Sequence, residues 1–110
     1  MPKATAADIA RVKAANPGIE LHLVEHPNLP HDFIVRGPSR GVWNIYRAKA
    51  SNEAEKVTAD DALFSACVLW PERGEEREAL IETYPAIVNV VAGEIVEIGG
   101  ASKHASHRKL

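Results

Sequence analysis

A chain of 110 residues with 25% charged and 45% apolar side chains has the size and make-up of one globular domain. Its formal net charge of −2 conceals ten basic and fifteen acidic residues before Gly100, a net of −5. Such a body repels a phosphate backbone, which argues against general nucleic-acid binding. Cys67 is the only cysteine, so no internal disulfide can form, and its apolar neighbours predict a buried small hydrophobe in a reducing compartment. No apolar run approaches the roughly 20 residues needed to span a bilayer, and Met1-Pro2-Lys3-Ala4-Thr5 lacks the apolar core of a signal peptide. The expectation is a cytosolic protein.

Thr5-Ala6-Ala7-Asp8 has the form of a capping box, predicting a short helix that ends before Asn16-Pro17-Gly18. From Ile19 the period changes to two, with Ile19, Leu21 and Leu23 alternating against Glu20, His22 and Val24, the pattern of a half-buried strand. His26-Pro27-Asn28-Leu29-Pro30 is a loop, and Asp32 to Arg36 is a second strand, giving an antiparallel hairpin that needs a helix on one face.

Ser39 can cap the next helix, in which Val42, Trp43, Tyr46 and Ala50 share a face and Arg47 and Lys49 turn outward. Thr58-Ala59-Asp60-Asp61 has the form of a second capping box. The helix it opens runs to Pro71, with Leu63, Ala66, Cys67 and Trp70 on one stripe, widened by Phe64 and Val68. A shorter helix, about 74–83, carries Ala79, Leu80 and Ile81 inward. Arg73 and Arg77 interleave with its glutamates at helical spacing, the pattern of a solvated face. Residues 86–98 suit either a helix with an Ile87, Val91, Ile95 and Ile98 stripe, or a hairpin of β-branched residues around Gly93. The unbroken stripe favours the helix. Residues 101–110 form a basic tail of low apolar content, expected to be flexible. The fold class is therefore α+β and mostly helical: one domain over 1–100, with an N-terminal helix and β-hairpin followed by a small bundle of about four helices.

No catalytic motif accompanies these elements. His22, His26 and His31 invite a metal reading, with Glu25 and Asp32 nearby. Residues 22 and 26 would lie about 13 Å apart on a strand at ~3.3 Å per residue, too far to share an ion. No metal and no cofactor are expected. Cys67 lacks the base and electropositive setting of a nucleophile. Aromatic residues favour interfaces, and Trp70 and Tyr84 each precede a proline at the end of an element.

The run from Phe33 to Gly93 resembles the small tail assembly chaperones of long-tailed bacteriophages and prophages. The likeness lies in Phe33-Ile34-Val35-Arg36 leading into Pro38-Ser39, the helix bearing Trp43 and Tyr46, and Cys67-Val68-Leu69-Trp70-Pro71. It continues through the acidic linker helix and Tyr84-Pro85 before a final apolar helix. The resemblance implies a non-catalytic protein in the cytoplasm of the bacterial host. It would bind the tape-measure protein and help recruit the tail-tube protein, using Trp43, Tyr46, Trp70 and Tyr84 as contacts, with homo-oligomers allowed. The rival readings are a structural virion protein (head–tail connector or decoration subunit) and a small metal-binding domain.

Overall fold

A computed structural model describes residues 3–25, 27–28, 31–100 and 108–109. Nearly all of the basic tail, and His26 in the loop, thus lie outside the described residues. Helix α1, Ala6–Ala15, starts from the expected capping box: Asp8 N–H donates to Thr5 Oγ1 at 3.1 Å, and Thr5 N–H donates to Asp8 Oδ2 at 2.9 Å. The Thr5 backbone bond, foremost, and then the Thr5 hydroxyl, which donates to Asp8 Oδ2 at 2.9 Å, hold the Asp8 carboxyl below its ordinary pKa.

Strands β1, Leu21–Glu25, and β2, Asp32–Arg36, form the antiparallel hairpin. A third strand, β3, Val68–Trp70, adds to the other edge of β2, giving the order β1-β2-β3. The long helix expected up to Pro71 therefore stops early. Helix α3 spans Ala59–Cys67, and the chain turns extended at Val68. Val68 pairs with Val35 and Trp70 with Ile34, so β3 satisfies backbone groups that β2 would otherwise leave bare.

Both faces of this sheet are covered. Val24, Phe33, Val35 and Val68 join the main core beneath α3 and α5, Ile87–Ile98. Ile34 and Trp70 join a smaller cluster with Val12, with Ile9 and Leu21 against it, under α1. The burial of β1 thereby differs from expectation. Val24 is its deepest residue, whereas Leu23 on the α1 side is exposed. The period of two puts Leu21 and Leu23 on one face and Val24 on the other, and a sheet with helices on both faces does not reveal which parity is deeper.

Helix α2, Arg40–Ala50, begins at Ser39, whose hydroxyl accepts from Val42 N–H at 3.2 Å. It packs on α3 with Val42 and Tyr46 half-buried, while Ala50 is exposed. Thr58 does not cap α3. A 3-10 turn over Lys56–Thr58 precedes the helix, and the Thr58 hydroxyl donates back to the Glu55 carbonyl at 2.7 Å. Of the two forms open to residues 86–98 the chain takes the helix, α5, with Ile87, Val88, Val91, Ala92 and Ile95 buried. Helix α4, Glu75–Thr83, buries Leu80 but leaves Ala79 exposed. No single helix among the described residues is long and apolar enough to cross a membrane.

One corner of the molecule is unusually close. A Cβ on Gly37 would lie 3.1 Å from Ile98 Cγ2, and one on Gly99 would lie 3.0 Å from Pro38 Cγ. The turn from β2 into α2 thus rests directly on the end of α5.

Candidate functional site

The four aromatic residues singled out from sequence fall in three places. Trp43 and Tyr46 share α2 and stack, ring centroids 5.4 Å apart at 33°. Both are half-buried. The Tyr46 phenol is held above its ordinary pKa, first by desolvation and then by nearby Asp60. Tyr84, 37% exposed, sits at the end of α4 with its ring edge-on to His31 at 5.9 Å. Trp70 is a correction. At 7% exposure, packed with Ile34 and Val12, it is a core residue rather than a surface contact. Pairing β3 with β2 turns its ring under α1, which a continued helix would not have done.

Around Trp43 and Tyr46 the structure adds residues that sequence reasoning missed. Ile45 is 56% exposed and Val57, in the 3-10 turn, is 79% exposed. Ile45, Val42 and Tyr46 on α2, with Ala62, Leu63 and Ala66 on α3, line a small open groove of about 80 Å³ that is almost wholly apolar. No residue of α2 is fully buried. A helix carrying valine, tryptophan, isoleucine and tyrosine along 11 residues would ordinarily bury more of them. Ile45 and Val57 give little warning in the sequence, because single exposed aliphatics are common.

Two polar residues are also placed differently from expectation. Arg77 is not on a solvated face; it is 3% exposed, with its guanidinium 4.7 Å above the Phe64 ring. It donates to the Phe64 and Val68 carbonyls, each at 3.5 Å, while Arg73 donates to the Ser65 carbonyl at 2.7 Å. Helix α3 has no basic residue in its own last turn. The two arginines supply that charge from outside, against its negative dipole end. Burial lowers the Arg77 pKa, and Arg73 adds to the effect.

His31 is likewise buried rather than on the surface, beside buried Asp32. Asp32 Oδ2 accepts from Ala4 N–H at 3.0 Å, and Lys3 Nζ lies 3.6 Å from Oδ1. Desolvation lowers the His31 pKa. His22 lies on β1 with Nε2 3.2 Å from Glu20. Among the described residues no three His, Cys, Asp or Glu side chains are grouped to hold a metal ion. Cys67 is buried, and desolvation raises its thiol pKa, so the unreactive thiol form dominates.

No protein-family model matches the chain, and no curated protein matches it. Among solved structures it is similar to an uncharacterised protein, rbstp2171, from Bacillus stearothermophilus. That likeness has a TM-score of 0.69 at 18% identity and covers 91% of this chain and 99% of the other. At that identity it speaks to the fold alone.

Proposed function

We propose that this is a non-catalytic tail assembly chaperone of a long-tailed bacteriophage or prophage, acting in the cytoplasm of the bacterial host. Its α2 face shields an apolar helical stripe of the tape-measure protein and helps bring tail-tube subunits to it. The observation that supports this reading best is α2 itself: Trp43, Ile45 and Tyr46 stand half-buried or exposed beside an apolar groove, next to Val57. A client helix laid on that face would bury its own apolar stripe in the same way that calmodulin-type or similar grooves take theirs. The phage context rests on the sequence resemblance between Phe33 and Gly93.

The test is co-purification with a fragment of the tape-measure protein encoded by the same phage. Ile45→Glu places a charge in the groove and should cut capture at least tenfold, about 1.4 kcal/mol or more of binding energy. Because Ile45 is exposed, the thermal midpoint should stay within a few degrees of the parent. Undiminished capture by a folded Ile45→Glu, Trp43→Ala variant would remove α2 as the client site. Finding the protein at fixed stoichiometry in finished virions would replace the chaperone reading with a structural one.

A further inference from the structure

Helices α2 and α4 carry opposite charges at the same spacing. Helix α2 has no acidic residue. Arg40 and Arg47 are exposed; among the described residues neither has a carboxylate within salt-bridge distance, and Arg47 donates only to Asn44. Its third cation, Lys49, is engaged with Glu55 at 3.7 Å. Helix α4 is the converse. Its one arginine, Arg77, turns inward to cap α3, as does neighbouring Arg73. Glu75, Glu78 and Glu82 are left exposed without an ion pair among the described residues.

The match extends to geometry. Arg40, Trp43, Asn44 and Arg47 stand at i, i+3, i+4 and i+7, one outer stripe of α2. Glu75, Glu78, Ala79 and Glu82 occupy the same four positions on α4. In each helix the end charges are two turns apart, ~10.5 Å at ~1.5 Å per residue. Laid antiparallel, Arg40 meets Glu82 and Arg47 meets Glu75, while the Trp43 ring falls opposite the small Ala79. A large side chain facing a small one is what close helix packing requires.

We propose that this protein associates with a second copy of itself, the Arg40–Trp43–Arg47 stripe of α2 in one molecule docking on the Glu75–Ala79–Glu82 stripe of α4 in the other. The inference shares the α2 surface with the client reading but does not depend on who the client is. Both halves of the complementarity are in this chain.

The experiment is sedimentation equilibrium of the purified protein alone. Association should be strongest at about 0.01 M salt, where the screening length is ~30 Å, and fall at least tenfold at about 1 M, where it is ~3 Å. Arg40→Glu with Arg47→Glu makes both helices acidic, and Glu75→Lys with Glu82→Lys makes both basic. Each double variant should be monomeric alone, with its helicity checked by circular dichroism. Mixed in equal amounts they should associate again, since each then offers the other a complementary stripe. Mixing also separates a lost contact from lost folding, because an unfolded variant cannot restore anything. A parent protein that is monomeric at low salt overturns the proposal. So does association untouched by both double variants, or a mixture of folded variants that stays monomeric. None of these results bears on capture of a tape-measure fragment, which is measured separately.

Discussion

Arg77 shows how one side chain can be charged, buried and useful with no carboxylate at salt-bridge distance among the described residues. Its guanidinium lies on the Phe64 ring and its N–H groups reach two carbonyls at the end of α3. Arg77→Ala removes the stem packing and the cap together and should cost about 2–4 kcal/mol in urea unfolding. Arg77→Met keeps most of the volume and should cost markedly less, since a buried charge carries its own desolvation cost. Equal small effects from both would return Arg77 to the surface. His31 supplies a pH dependence of defined sign. Burial lowers its folded pKa below the unfolded value of about 6.5. Its contribution to stability is therefore complete above that value and declines as the pH falls, because the unfolded chain takes up the proton first. Asp32 and Glu76 oppose the shift and Lys3 adds to it. The thermal midpoint should drop from pH 7 towards pH 5, and His31→Phe, which keeps a ring against Tyr84, should flatten that slope. An unchanged slope would assign the pH response to other groups.

At the scale of elements, β3 decides the architecture around it. Trp70→Ala should cost about 3–5 kcal/mol of folding stability, because it empties the cluster that holds α1 to the sheet. A thermal midpoint lowered by no more than a degree or two would contradict this packing. The sequence showed the helices and two of their caps clearly, because Thr5, Ser39 and the Ile87–Ile98 stripe are local signals. It did not show β3, for a physical reason. Val68-Leu69-Trp70 is too short to establish a period of two, and Trp70 also continues the helical stripe of α3. What makes it a strand is the open edge of β2, more than 30 residues earlier. The inward turn of Arg77 was hidden in the same way, since its acceptors lie nine and thirteen residues back. Of the aromatic residues, Trp43 and Tyr46 could be placed on one helical face from spacing alone. That Ile45 stays uncovered beside them depends on how α2 rests on α3, and no local pattern encodes that.

For the molecule as a whole, the helices differ in how they are used. Helices α3 and α5 close the core over the sheet, α1 covers the other side, and α2 and α4 show most of their length to the outside. The acidic outer face of α4 follows from this division, since Arg73 and Arg77 are drawn inward to serve α3. The tight corner at Gly37, Pro38 and Gly99 has a bearing on how α2 is aimed. Only glycine hydrogens face Ile98 at Gly37 and Pro38 at Gly99, and a methyl group at either glycine obliges the neighbour to give by a few tenths of an ångström. Gly99 has φ −70°, an angle any residue can adopt, so the restriction is one of room and not of backbone freedom. Those two glycines act as a spacer of fixed thickness between the end of α5 and the start of α2. The heading at which Arg40, Trp43 and Arg47 are held out is thus set by atoms that lie outside their own stripe.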